Sequence, residues 1–214
     1  LINGKSSIKT IDDLELVSKS FGKSDSISKF KNAGVALNGK VYTYHTIPIK
    51  DDLNPLKTIL HKNKSDVDDS FFIDENKKIE SQIHYQIDRD PIVVKTVGDK
   101  WRYLKGRKNE ERISKATGVK YKYGEGKMIY PDDEKMPSRT IITAEGGTTP
   151  SRFKHVIQTK DGLRRLTPVE LERLNGFPDD HTKLEGITDT KRAFFMGNAL
   201  VCGVVEKIGK ELSL

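Results

Sequence analysis

The chain has 214 residues, of which 35% are hydrophobic and 32% are charged, and its formal net charge is +7. No stretch approaches the roughly 18 apolar residues of a membrane helix, and a single cysteine, Cys202, excludes an internal disulfide and a multi-cysteine zinc site. We therefore expect a protein of a reducing, intracellular compartment.

The positive charge is concentrated in the middle of the chain. Residues 91–165 hold 18 basic and 9 acidic side chains, which is a net charge of +9, whereas residues 1–90 are neutral with 14 of each. A local basic excess is typical of a protein that binds a polyanion such as nucleic acid. A solvated, lysine-rich surface is the alternative.

The first 60 residues predict three short elements. Residues 11–17 predict a short helix. Residues 41–47 alternate β-branched and aromatic side chains, which is typical of a strand, and an Asn-Gly pair before them predicts a turn. Residues 54–60 predict a short helix with a proline at its first position.

The middle of the chain predicts a hairpin, a helix and a loop. Residues 92–97 and 101–104 flank a Gly-Asp pair and predict two strands of a hairpin. Residues 109–117 predict a helix that ends at Gly118. Residues 121–126 are polar, aromatic and glycine-containing, and they predict an exposed loop.

Two strands and a glycine-rich loop follow. Residues 139–143 and 155–158 are rich in β-branched side chains and predict strands, and residues 160–162 predict a turn after the second strand. Residues 145–152 contain two adjacent glycines and a proline, which indicates a loop.

The C-terminal quarter predicts two helices. Thr167 is a strong N-cap with Pro168 at the first helical position and Glu170 three residues after the cap, and Gly176 ends this helix. The last helix is predicted to start near Asn198, after a glycine turn whose free backbone donors suit the polar part of a small ligand. Its apolar face is formed by Leu200, Val201, Val204, Val205, Ile208 and Leu212.

Two blocks near the C-terminus resemble the closing blocks of DNA cytosine-5 methyltransferases. In residues 164–179, eleven of 16 positions match the family pattern. The matching residues are Arg164, Leu166, Thr167, Pro168, Glu170, Arg173, Leu174, Gly176, Phe177, Pro178 and Asp179. Residues 197–201 resemble the family's Gly-Asn-x-Val segment, and residues 138–147 resemble a strand and glycine loop of its recognition domain.

The family's catalytic segments have no counterpart in this sequence. These are the Phe-x-Gly-x-Gly cofactor loop, the Pro-Cys nucleophile, the Glu-Asn-Val segment and the Gln-x-Arg-x-Arg segment. Family chemistry needs a thiolate that attacks a flipped cytosine, and Cys202 lies in an apolar helix without a preceding proline. The chain thus resembles the C-terminal part of such an enzyme, either as a truncated piece or as a natural second subunit.

The resemblance implies an α/β mixed (α+β) fold with four parts. An irregular, mostly-β target-recognition domain precedes C-terminal helices that would pack on a Rossmann-like methyltransferase domain. The expected parts are a linker after the catalytic domain at 1–40, the target-recognition domain at 41–163, a capped helix and turn at 164–196, and a helix returning to the catalytic domain at 197–214.

The resemblance also implies site residues. Two loops, residues 117–127 and 143–152, are expected to face the major groove, where Arg pairs with guanine and Glu accepts from cytosine. The expected DNA contacts are Lys120, Lys122, Tyr123, Lys127, Arg139, Thr143, Glu145, Gly146, Gly147, Thr148, Ser151, Arg152 and Arg164. S-adenosylmethionine is expected to lie mainly on the missing N-terminal domain and to touch Gly197, Asn198, Ala199 and Leu200. No catalytic residue and no metal site are expected.

Some of these residues have a second interpretation. Arg139 serves equally well as an internal ion-pair partner. The basic run at 102–108 is either a phosphate contact or solvated charge.

The implied function is recognition of a short DNA site within a restriction-modification enzyme that methylates carbon 5 of cytosine. The expected partners are double-stranded DNA, the catalytic domain or subunit, and a second copy through the last helix; no membrane is expected. The expected location is the bacterial cytoplasm, on the nucleoid. Two alternatives stay open, which are a non-enzymatic, sequence-specific DNA-binding module and a basic domain that docks on another protein.

Overall fold

A computed structural model describes residues 9–11, 33–38, 40–44, 47 and 54–212. The chain divides into two compact units, Leu1–Asp52 and Leu53–Leu214. Within the described residues, no helix is both long and apolar enough to cross a membrane.

The first unit contains a three-stranded antiparallel sheet. Its strands are β1 (Lys9–Ile11), β2 (Ala33–Leu37) and β3 (Lys40–Tyr44), in the order β1-β3-β2. The strand predicted at 41–47 is therefore confirmed as far as Tyr44. Asn38, before it, has a φ of 50°, as a tight turn requires. The helix predicted at 11–17 is wrong at Ile11, which lies in β1, and its other residues lie outside the described ranges.

The second unit contains three two-stranded antiparallel hairpins and four helices among its described residues. The strands are β4 (Lys78–His84), β5 (Ile92–Thr96), β6 (Lys108–Ile113), β7 (Lys120–Glu125), β8 (Val156–Thr159) and β9 (Gly162–Arg165). The helices are α1 (Val97–Lys105), α2 (Pro168–Asn175), α3 (Asp189–Asn198) and α4 (Cys202–Leu212). The helix predicted at 54–60 is only a 3-10 turn at Leu56–Thr58, which directly follows the proline.

The strand predicted at 92–97 is confirmed as β5, but helix α1 replaces the turn and the second strand of the predicted hairpin. The Thr96 hydroxyl accepts from the backbone N–H of Asp99 at 3.1 Å, and the Asp99 carboxylate accepts from the backbone N–H of Thr96 at 3.0 Å. This reciprocal capping box starts a helix where the Gly-Asp pair predicts a turn. The helix buries Trp101 and Tyr103.

The β6–β7 hairpin replaces the helix predicted at 109–117 and the loop predicted at 121–126. Its register pairs Lys108 with Glu125 and Glu110 with Tyr123. Lys108 and Glu110 are buried, so charged side chains occupy the inner face of this hairpin. Gly118, with a φ of 69°, lies in the connecting turn and does not end a helix.

The segment 139–143 is irregular, and the strand predicted there is absent from the structure. The other prediction in this region is confirmed, because β8 and β9 form a hairpin across the turn at 160–161. The N-cap of α2 is confirmed as well. Thr167 and Glu170 form both hydrogen bonds of a capping box, and Gly176 ends the helix with a φ of 81°.

The prediction of a helix that starts near Asn198 is wrong. Gly197 and Asn198 form the last turn of α3, and α4 begins four residues later at Cys202. A Cβ atom on Gly197 would lie 2.3 Å from the backbone nitrogen of Thr143. The glycine is therefore needed for close packing of α3 on residues 142–143.

Two apolar clusters form the core of the second unit. The larger consists of Leu56, Ile157, Leu166, Leu171, Ala193 and Met196, and the smaller of Trp101, Val156 and Leu163. Strand β8 contributes Val156 to one cluster and Ile157 to the other, so this hairpin lies between them. The fold is mixed α/β with small antiparallel sheets and a few helices. The packing of these helices on a Rossmann-like domain and the four-part division stay predictions.

Candidate nucleic-acid interface

Arg164 lies inside the protein. Its side chain is 2% exposed, and it donates to both carboxylate oxygens of Glu170 at 2.7 and 2.6 Å. Burial acts to raise the pKa of the Glu170 carboxyl, but the hydrogen bonds and charge of Arg164 outweigh it and hold this pKa below its ordinary value. Because this guanidinium is buried and paired, we withdraw Arg164 from the predicted DNA contacts.

Arg139 also forms an internal ion pair, which is the alternative that the sequence left open. It donates to the two carboxylate oxygens of Asp132 at 2.7 and 3.1 Å and to the carbonyl of Phe153 at 3.1 Å. Burial acts to raise the pKa of Asp132, and the hydrogen bond from Arg139 reverses this effect. Arg139 is half-buried, and we withdraw it from the DNA contacts because its guanidinium is fully engaged by these internal partners.

Arg152 joins the two segments that were predicted to read DNA. Its guanidinium donates to the carbonyls of Leu104 at 3.0 Å, Gly106 at 3.2 Å and Gly126 at 2.5 Å, and it lies 3.1 Å from the Glu125 carboxylate. Residue 126 follows β7, so Arg152 ties the glycine-rich loop to the base of the β6–β7 hairpin. Its side chain is only 13% exposed, so it holds the two segments together and is not a base-reading residue.

Glu145 is buried and anchors the glycine-rich loop to β8. Its carboxylate accepts from the backbone N–H of His155 at 3.0 Å and lies 2.8 Å from the Nδ1 atom of that ring. Nε2 of the same ring lies 3.0 Å from the hydroxyl of Ser138, which donates to the carbonyl of Arg139. Both carboxylate oxygens of Glu145 are thus occupied, and we withdraw it as an acceptor for cytosine.

The two adjacent glycines pack against the protein interior. A Cβ atom on Gly146 would lie 2.7 Å from the Cα atom of Thr190 in α3, so only glycine fits there. Gly147 has a φ of 77°, a conformation that favours glycine. Gly146 thus packs the loop on α3, and Gly147 allows the turn that follows; contact of either glycine with the duplex stays a prediction.

Five of the predicted DNA contacts are exposed. They are Lys120, Lys122, Lys127, Thr143 and Thr148. Lys120 forms an exposed ion pair with Glu111 at 2.8 Å. Lys122 and Lys127 form no ion pair with any residue that the structure describes.

Two other predicted contacts, Tyr123 and Ser151, are half-buried. The Tyr123 hydroxyl donates to Glu125, and the Arg112 guanidinium stacks 3.5 Å from the centre of its ring. Tyr123 therefore belongs to the inner face of the β6–β7 hairpin. Of the predicted contacts, the exposed lysines and threonines and the half-buried Ser151 remain as candidates for direct DNA contact.

A basic groove of about 370 Å³ adjoins the Arg152 contacts. The basic groove is lined by Arg89, Ile92, Val93, Asp99, Arg102, Tyr103, Gly106, Arg107 and Lys127. Arg102 pairs with Glu75, and Arg107 pairs with Asp88. Sequence reasoning missed Arg89, because the two aspartates that flank it cancel its charge in the sequence.

The basic run at 102–108 divides between surface and interior. Arg102 and Arg107 line the basic groove, whereas Lys105 and Lys108 are buried. Burial lowers the pKa of the Lys105 ammonium to about 8. This ammonium donates to the carbonyl of Lys154 and lies 5.9 Å from the centre of the Trp101 ring.

The predicted cofactor segment forms one wall of a cavity of about 330 Å³. Gly197 and Ala199 line this cavity, whereas Leu200 is 74% exposed. The Asn198 amide donates to the carbonyl of Phe194 at 3.0 Å, within its own helix. Asn198 is the only one of the four with a polar side chain, and its amide is not buried without a partner. These residues do not by themselves fit a complete S-adenosylmethionine site.

The described residues contain no group of three His, Cys, Asp or Glu side chains that could hold a metal ion. Cys202 is the first residue of α4 and is half-buried against Gly176. The sequence contains no Pro-Cys pair.

Comparison with known proteins gives two matches. A family model described as C-5 cytosine-specific DNA methylase matches residues 20–214. The type II methyltransferase M.Sau3AI of Staphylococcus aureus is 36% identical over 190 residues, which are 88% of this chain and 39% of that protein. The chain therefore spans about two fifths of the length of this relative. No solved structure matches the chain.

Proposed function

The chain belongs to the C-5 cytosine-specific DNA methylase family, and on that premise we propose that it is the target-recognition and C-terminal portion of a DNA (cytosine-5) methyltransferase. The observation that carries the proposal is the set of Arg152 hydrogen bonds, which hold the glycine-rich loop beside the β6–β7 hairpin. The loop and hairpin then form one surface, and the basic groove continues it. We name this the recognition surface.

The recognition surface offers two kinds of DNA contact. Lys122, Lys127 and Arg89 supply positive charge for phosphates, which position a duplex without reading its sequence. The exposed Thr143 and Thr148 lie on the loop side, where hydroxyl groups reach base edges or phosphates. In this proposal the buried arginines support the surface and do not touch DNA.

The chemistry of methyl transfer belongs to the rest of the enzyme in this proposal. The nucleophile and most of the S-adenosylmethionine site lie upstream, and the cavity wall at Gly197 and Ala199 completes the cofactor site from this side. The methyl donor supplies the group that is transferred to carbon 5 of cytosine. Because its substrate is DNA, the whole enzyme would act on the DNA of a bacterial cell. It would be the methyltransferase of a restriction-modification system.

Helix α4 is the proposed contact with the catalytic portion. Its apolar residues are exposed, from 47% at Val205 to 80% at Leu212. An apolar helix face of this size is typical of a surface that a partner covers. The relative is much longer than this chain, which supports the catalytic portion over a second copy as the occupant.

DNA binding at several salt concentrations tests the recognition surface. We expect the double substitution Lys122→Ala with Lys127→Ala to weaken binding of mixed-sequence duplex DNA, because two phosphate contacts are lost. The slope of log K against log salt should fall in magnitude by about 1.8, or about 0.9 per phosphate. Fluorescence anisotropy of a labelled duplex measures this.

A matched control separates a local effect from a general charge effect. Lys62→Ala with Lys64→Ala removes the same charge from two exposed lysines outside the recognition surface, and we expect the wild-type slope. Equal losses in both double variants would contradict the placement of the surface. Absence of binding by the wild-type chain at low salt would contradict the proposed function.

A further inference from the structure

The glycine-rich loop is held by two buried cations. The Lys154 ammonium donates to the carbonyl of Gly147 at 3.0 Å and to the carbonyl of Thr149 at 2.8 Å. The Arg165 guanidinium donates to the same Gly147 carbonyl at 2.8 Å. Lys154 is 4% exposed and Arg165 is 6% exposed, so both charges lie beneath the loop.

We propose that Lys154 and Arg165 are positioning residues that fix the backbone of residues 147–149 in the conformation that reads DNA. This inference rests on the proposed function. It assigns base discrimination to a loop whose carbonyls are turned inward and whose Thr148 and Thr149 side chains are exposed. Neither cation touches DNA in this proposal.

The rest of the loop is fixed from the same side. Glu145 is bonded to His155, and Gly146 packs on Thr190. Arg165 is itself held, because it donates to the carbonyl of Ser70 at 2.7 Å and lies 5.0 Å from the centre of the Phe71 ring. The loop therefore has a contact with the interior at residues 145, 146, 147 and 149.

The burial of these cations has an energetic cost that apolar residues would not have. Burial, followed by the nearby charge of Arg165, lowers the pKa of Lys154, and burial lowers the pKa of Arg165. Replacing buried charges with apolar side chains of similar volume is often neutral or stabilising. What apolar side chains cannot supply is the set of three hydrogen bonds that orients two loop carbonyls. A loop whose base-contacting groups are held rigidly is selective, because these groups have the geometry of the complex before DNA binds.

The substitution Lys154→Met tests this inference by separating selectivity from affinity. Wild type and variant are each used to select from a randomised duplex library, and the Kd values for the preferred and a scrambled duplex are then compared. We expect Lys154→Met to bind the scrambled duplex within about 3-fold of wild type, since the recognition surface keeps its exposed charges. The preference for the selected duplex should fall at least 10-fold, and Lys154→Arg should restore part of it.

Lys105→Met is the matched control. Lys105 is also a buried lysine that donates to a backbone carbonyl, but that carbonyl belongs to Lys154 and not to the loop. We expect this control to keep the wild-type preference. If Lys154→Met fails to fold, Arg165→Lys is measured in the same way, and it should reduce the preference because one ammonium replaces the two guanidinium nitrogens that donate separately to Gly147 and Ser70.

The outcomes distinguish this inference from the proposed function. An unchanged preference in folded Lys154→Met or Arg165→Lys overturns the inference and leaves the proposed function intact. An equal loss of preference in Lys105→Met also overturns it, since any buried lysine would then have the effect. A wild-type chain that binds no DNA overturns both.

Discussion

Arg164→Met is expected to lower the free energy of unfolding by about 3–5 kcal/mol, which is the usual cost of removing one partner of a buried ion pair. Glu170 is 0% exposed and would be left with only the backbone donors of Thr167 and His61. The loss exceeds half of the stability of many domains of this size. Urea denaturation at pH 7, followed by circular dichroism, measures the change.

An exposed ion pair is the control for this effect. Lys210 lies 2.6 Å from Glu206 on the surface of α4, and Lys210→Ala should leave the free energy of unfolding nearly unchanged. The buried pair should also show acid sensitivity. The pKa of Glu170 is lowered from 4.5, so its contribution is present above that pH and is lost as the pH falls below it. Arg164→Met should remove this dependence, and a loss below about 1 kcal/mol at pH 7 would contradict the buried pair.

Val204→Asp with Ile208→Asp is expected to block association with the catalytic portion while this chain stays folded. The two side chains lie one turn apart on α4 and are 55% and 56% exposed. Burying each would contribute about 1.5–3 kcal/mol, and a carboxylate in an apolar interface adds a further cost. The two changes together should weaken association at least 100-fold, which corresponds to about 2.8 kcal/mol.

Thermal unfolding of the isolated chain should be nearly unchanged by this double substitution, because the face has no buried residue. Glu206→Gln on the same helix is the control and should associate normally. A large drop in the melting temperature of the double variant would show that the face packs within this chain. Loss of a wild-type dimer, with association to the catalytic portion preserved, would instead identify a second copy as the occupant.

The elements predicted correctly are those whose cause is local in sequence. Helix α2 starts at Thr167 because the cap, the proline and Glu170 satisfy one another within four residues. Strand β8 and the turn that follows it were predicted from β-branched residues and an Asp-Gly pair that lie next to each other in the sequence. In both, the deciding hydrogen bonds join residues that are neighbours in the chain.

The elements predicted wrongly depend on an interior that contains charge. The polar residues at 109–117 suit an exposed helix, but the segment begins in strand β6. Lys108 and Glu110 of this strand are buried on one face, which the sequence does not indicate. Helix α1 was missed because its capping box uses Thr96 and Asp99, and the Gly-Asp pair was interpreted as a turn.

Three arginines that were predicted to contact DNA form contacts within the protein instead. Arg139 pairs with Asp132, and Arg152 donates to the carbonyls of Leu104 and Gly126. No sequence pattern indicates these contacts. Which cations remain at the surface is decided by tertiary contacts. The family resemblance predicts which two segments face DNA, whereas the internal contacts of their arginines could not be predicted from the sequence.

In our proposal, this chain recognises DNA for a catalytic portion encoded upstream of it. The most direct test is transfer of a labelled methyl group from S-adenosylmethionine to mixed-sequence DNA, with the chain alone and then with the upstream portion added. We predict no transfer by the chain alone and transfer to carbon 5 of cytosine after mixing. Methyl transfer by the chain alone would contradict the account, because its single cysteine, Cys202, lies in α4 outside any Pro-Cys segment.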